Sequence, residues 1–135
     1  MLARITRRLR PTVAGKDAGL TPTKRAVLLH VVREGPVRLS ELADAEGINP
    51  TMLSRVIAAL AEEGLLERTC DERDRRAAWV KATAAGRRLA ERMRRERTDA
   101  LLVGLAGMSE SDRLALETAL PALEQLSEQL KVRQP

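Results

Sequence analysis

The chain has 135 residues, with 24 Lys and Arg against 19 Asp and Glu, a formal charge of +5 and a pI of about 10.3. Hydrophobic residues make up 44% and charged residues 32%, the balance of one soluble globular domain rather than of a disordered or collagen-like chain. The basic excess favours a polyanionic partner, with nucleic acid the leading candidate. No run approaches the roughly 18–20 consecutive apolar residues of a membrane span, and the stretch from Met1 to Arg8 lacks the apolar core of a secretory leader. The expected location is therefore the cytoplasm, without membrane contact. Cys70 is the single cysteine and His30 the single histidine, which excludes an internal disulfide and a His-based or structural metal site, and no cofactor is expected. Trp79 is the only aromatic residue, so the stacking platforms used for single-stranded nucleic acid are lacking and duplex is the better expectation.

Charge divides unevenly. Residues 1 to 97 carry 21 basic and 13 acidic side chains, while residues 98 to 135 carry 3 and 6, as if one part faced phosphate and the other another protein chain. Leu2 to about Arg10 reads as a short first helix, and Pro11 to Gly19 as a linker. Thr21-Pro22 places an N-cap hydroxyl before a proline, and the apolar run from Ala26 to Val32 predicts a buried helix that Gly35-Pro36 stops. A short extended piece, Val37 to Leu39, then leads to Ser40 as the next N-cap, and Gly47 closes a helix of barely two turns. Asn49-Pro50 repeats the cap-and-proline device. Met52, Leu53, Val56, Ile57 and Leu60 follow at helical spacing until Gly64.

Two helices joined by the tight turn Gly47-Ile48-Asn49 form the pattern of a helix-turn-helix, whose second helix enters the major groove. Here that helix is Pro50 to Glu63, with Thr51, Ser54 and Arg55 outward near its start: two hydroxyls and a guanidinium suited to base edges and phosphates. Leu65 to Cys70 and Ala77 to Ala82 read as strands around the charged tip 71–76, a hairpin that makes the unit a winged helix. An arginine at such a tip fits the narrow, electronegative minor groove, and Asp74 can hold a guanidinium in a fixed pose. Thr83 caps a long helix to about Gly104. Ser109 with Asp112 resembles a capping box that starts a final helix bent at Pro121 and carrying Leu114, Leu116, Leu120, Leu123, Leu126 and Leu130. Those leucines exceed what a small winged helix can cover, which predicts an intermolecular bundle.

The order of elements and their residues resemble the MarR family of bacterial winged-helix transcriptional regulators. The resemblance rests on Gly19-Leu20-Thr21-Pro22, on Leu39-Ser40-Glu41-Leu42-Ala43, on Ser54-Arg55-Val56 with Leu60, Glu62, Gly64 and Leu65, and on Asp74-Arg75-Arg76 followed by Val80, Thr83 and Gly86. It implies a mainly α fold with a small β-hairpin. The winged helix would cover about residues 20–83, and the helices of about 2–18 and 84–132 would intertwine in a homodimer. It implies a repressor that reads a near-palindromic double-stranded DNA operator, with a small-molecule effector that releases it. Arg76 would enter the minor groove, oriented by Asp74. Pro50, Thr51, Met52, Ser54 and Arg55 would face the major groove, and Ser40, Arg73 and Arg75 would contact phosphates. An effector pocket would be lined by Leu, Val, Ala and Met, because Trp79 belongs to the wing.

Two alternatives stand beside this reading. One is a winged-helix protein-interaction module without specific DNA recognition. The other is a redox-responsive regulator using Cys70, although that residue at the foot of the wing reads first as a small buried hydrophobe, as His30 reads as a hydrogen-bonded structural histidine. An enzyme is not expected, since one histidine and no glycine-rich phosphate loop assemble no catalytic set. Arg76→Ala should weaken specific duplex binding by about 1–3 kcal/mol, and Arg55→Ala should do so while also blurring discrimination between sites. Competition binding against mismatched duplexes checks both, and unchanged affinity in both variants would overturn the assigned mode.

Overall fold

The structure, a computed structural model, describes residues 1–9, 12–70 and 78–131. Its elements run α1 (Leu2–Leu9), α2 (Val13–Asp17), α3 (Pro22–Glu34), β1 (Val37–Arg38), α4 (Leu39–Glu46), α5 (Pro50–Glu62), β2 (Leu66–Cys70), β3 (Ala78–Ala82), α6 (Ala84–Ala106) and α7 (Glu110–Lys131). They group into two units, Met1–Thr98 and Asp99–Pro135.

Local chemistry sets the helix starts in the first unit. The Thr21 hydroxyl accepts from the Lys24 amide at 3.2 Å and the Asn49 side chain from the Thr51 amide at 2.8 Å, each just before a proline whose missing N–H costs the helix nothing. Gly47 closes α4 in the left-handed region at φ 61°, a backbone shape that disfavours any residue with a Cβ. The next amide, of Ile48, returns to the Ala43 carbonyl at 3.0 Å, and the chain turns directly into α5.

Two expectations are corrected here. Ser40 does not cap α4: the helix begins at Leu39 with Arg38 in the cap position, and Ser40 lies exposed inside the first turn. The extended chain ends one residue earlier than its residue types indicate, because Val37 and Arg38 pair antiparallel with Val80 and Trp79. Nor is the stretch before Gly19 only a linker. The hydroxyl of buried Thr12 accepts from the Gly15 amide, and the Glu96 carboxylate accepts from the amides of Val13 and Ala14 at 2.6 and 3.0 Å, so a carboxylate 83 residues away in the chain helps to hold α2.

The strands form one sheet in the order β1-β3-β2, both pairings antiparallel, so the predicted hairpin gains a third strand. Val80 and Ala82 of β3 are buried and Lys81 between them is exposed, which gives the sheet an inner and an outer face. On the inner face one core joins Val27, Leu28 and Val31 of α3, Leu42 of α4, Leu53, Ile57 and Leu60 of α5, and Leu89 and Met93 of α6. Each fully buried leucine contributes about 1.5–3 kcal/mol through apolar surface removed from water. Helix α6 sits so close to the exit of α5 that a Cβ on Gly86 would lie 2.1 Å from the Leu65 carbonyl oxygen.

In the second unit α7 starts at Ser109, whose hydroxyl accepts from the Asp112 amide at 3.1 Å and donates to the Asp112 carboxylate at 2.7 Å. The carboxylate thus closes onto the hydroxyl, a shorter reach than the full capping box needs. The helix continues through Pro121. None of its described side chains is buried: Leu114, Leu120 and Leu130 are 61%, 53% and 58% exposed.

Gly86→Ala should destabilise the fold by at least about 1–3 kcal/mol, because the clash is with backbone that cannot rotate away. Asn49→Ala should cost about 1 kcal/mol through the lost cap. Urea unfolding followed by far-UV circular dichroism measures both; a Gly86→Ala variant as stable as the parent would contradict the close approach.

Candidate nucleic-acid interface

Helix α5 has two faces of different chemistry. Leu53, Ile57 and Leu60 fix one in the core, and Val56 packs half-buried at its margin. The first two turns of the other expose Pro50, Thr51, Met52, Ser54 and Arg55 together. Met52 has the helical spacing of a core residue, yet it is 51% exposed and joins this outward group. Ser40 is exposed on the first turn of α4, the other helix of the pair. Arg73, Asp74, Arg75 and Arg76 lie outside the described residues, as does the side chain of Cys70.

Contacts across the unit hold α5 in place. Lys24 Nζ at the start of α3 donates to Glu63 Oε1 at 2.5 Å, just beyond the end of α5. His30 Nδ1 lies 2.7 Å from Glu46 Oε1, joining α3 to the last turn of α4. At the other side of the sheet Lys81 pairs with Glu67 at 3.2 Å, β3 to β2. The arrangement presents hydroxyls, a thioether and a guanidinium on a solvent-facing helix start, groups that can hydrogen-bond to base edges and phosphates or pack against bases.

Two concavities flank the unit. One, of about 610 Å³, lies among Ile5, Leu9, Ala26, Leu29, Arg25 and Arg97. Burial pushes the Arg97 guanidinium below its ordinary pKa and the charge of Arg25 adds to that shift. Its buried Nε has no hydrogen-bond partner among the described residues. The other, of about 760 Å³, runs along α6 beside Arg87, Arg88, Arg92 and Arg95. There Glu91 is held below the usual carboxylate range by hydrogen bonds from Arg94 and Arg95. No group of three or more His, Cys, Asp or Glu among the described residues could hold a metal ion, and no described helix is long and apolar enough to cross a membrane.

Sequence reasoning missed two contributors. Arg38 lies with its guanidinium carbon 5.2 Å from the centre of the Trp79 ring, a neighbour 41 positions away that only the strand register reveals. Glu96 was equally invisible, since nothing local marks a surface-pattern glutamate as a cap for a distant helix.

Comparison with known proteins agrees with this architecture. The sequence model of the MarR family matches residues 20–78, from two residues before α3 to the first residue of β3. An HTH-type transcriptional regulator of Mycobacterium bovis is 29% identical over 116 residues, 86% of this chain and 80% of that protein. The crystal structure of RV1404 from Mycobacterium tuberculosis superposes with a TM-score of 0.80 at 22% identity, covering 92% of this chain and 86% of that one. That of Streptococcus pneumoniae FabT in complex with DNA superposes with a TM-score of 0.69 at 21% identity, over 96% and 87%. Residues 20–78 of this chain match the sequence model of the MarR family, and the chain shares the fold of these neighbours and is similar to HTH-type transcriptional regulators.

Proposed function

We propose that the protein is a homodimeric repressor that binds a near-palindromic operator in duplex DNA. The observation that carries this reading is the exposed start of α5, where Thr51, Met52, Ser54 and Arg55 face solvent while Leu53, Ile57 and Leu60 lock the helix to the core. In the proposed complex this start enters the major groove, Arg55 supplies donors to base edges or phosphate, and Ser40 touches the backbone beside it. Arg76, oriented by Asp74, reaches into the minor groove, with Arg73 and Arg75 on flanking phosphates. Support comes from a structural neighbour, FabT, crystallised on DNA.

The dimer reading rests on the leucines of α7, a face too apolar to remain in water. The effector reading rests on the cleft between Arg25 and Arg97. Two arginines beside apolar walls, with the Glu46 carboxylate also on the lining, suit a small molecule with an apolar body and a group that pairs with a guanidinium. Such a molecule releases DNA only through differential affinity for the two dimer arrangements.

Selection of bound sequences from a random duplex pool at near-physiological salt, followed by a salt titration of the winner against scrambled DNA, tests the reading. An enriched inverted repeat with half-sites about one helical turn, roughly 34 Å, apart supports a dimeric sequence-specific regulator. Binding that depends only on salt and enriches no sequence would overturn it and favour the protein-interaction reading.

A further inference from the structure

Several arginines of the first unit are committed to partners within the chain. Arg33 pairs with Glu34, Arg94 and Arg95 share Glu91, and Arg87 donates to the Ala82 carbonyl at 2.7 Å. Arg38 is different. It is exposed, it has no ion pair among the described residues, and its guanidinium carbon lies over the Trp79 ring, 5.2 Å from its centre. A cation held over an aromatic face keeps N–H donors that can still reach an anion. An arginine held this way loses little rotamer entropy when an anion arrives.

Its position decides which anion. Arg38 ends β1 and is the cap residue of α4, so it stands where the sheet of the wing meets the helix pair, two residues before exposed Ser40. Strand register places Arg38, Trp79 and exposed Thr69 in one row across β1, β3 and β2. We propose that Arg38, held over Trp79, is a sequence-independent contact to the phosphate backbone of duplex DNA at the joint between wing and helix pair, with Trp79 as its positioning residue. This inference rests on the DNA-binding reading above. Because the chain has one Trp and no Tyr, Trp79 emission reports the contact directly.

The test titrates the full-length protein with a mixed-sequence duplex of about 30 base pairs, long enough for two half-sites. Trp79 emission and binding are followed over a range of salt. The expected result is a saturable change in emission in the parent. In Arg38→Gln the slope of log affinity against log salt should fall by about one per half-site, about two for the bound dimer, with affinity reduced about fivefold per half-site at about 0.15 M salt and equally for all sequences. Arg38→Lys should keep the slope, and Trp79→Leu should keep the slope but weaken binding, since the charge remains and the platform is gone. An Arg38→Gln protein that folds as the parent does, binds duplex and keeps the parental slope overturns the assignment of Arg38 alone. Failure of the parent to bind any duplex overturns the DNA-binding reading, and this contact with it.

Discussion

The carbonyl of Leu65 is the joint on which the winged helix turns. It accepts from the Thr83 amide at 3.1 Å and from the Thr83 hydroxyl at 3.1 Å, and that hydroxyl also reaches the Gly64 carbonyl at 2.6 Å. The same hydroxyl accepts from the Gly86 amide at 3.0 Å and so starts α6. Three elements meet at one peptide: the exit of α5, the first residue before β2, and the first turn of α6. Gly86 permits this, since any Cβ there would occupy the space of the carbonyl. The end of α5 is therefore held against the start of α6 by the amide and hydroxyl of Thr83 acting on consecutive carbonyls.

Within the first unit α6 serves on several sides at once. Leu89 and Met93 enter the core, Glu96 caps α2, and Arg97 walls the arginine-lined cleft with Arg25 from α3. The cleft is thus walled by the helix that is joined through Leu65 to the end of α5. The Lys24–Glu63 and His30–Glu46 pairs tie α3, which also lines the cleft, to the residue after α5 and to the last turn of α4, so in the proposed complex α3 would couple the cleft to the DNA-facing surface by a second route. Coupling of this kind needs only two arrangements that the ligand distinguishes.

Local signals in the sequence were enough to place much of this. Thr21-Pro22 and Asn49-Pro50 announce helix starts because cap side chain and proline act within three residues, and Gly47 and Gly64 mark ends because positive φ is a local requirement. The outward set on α5 was legible from helical spacing, apart from Met52, whose chemistry says core and whose position says surface. What could not be read depends on pairings far apart in the chain. The start of α4 follows the register of β1 against β3, the Arg38–Trp79 contact follows the same register, and α2 depends on Glu96. No composition or spacing encodes such meetings before the fold is known.

The bare leucine face of α7 changes what stability means for this chain. An element that buries none of its own side chains contributes little to a folded monomer, and whatever covers it, a second copy or another protein, binds the folded state and not the unfolded one. By mass action the cover adds RT ln(1 + [L]/Kd) to the folding equilibrium. In the proposed dimer dilution then acts as a denaturant, and the melting point climbs with concentration.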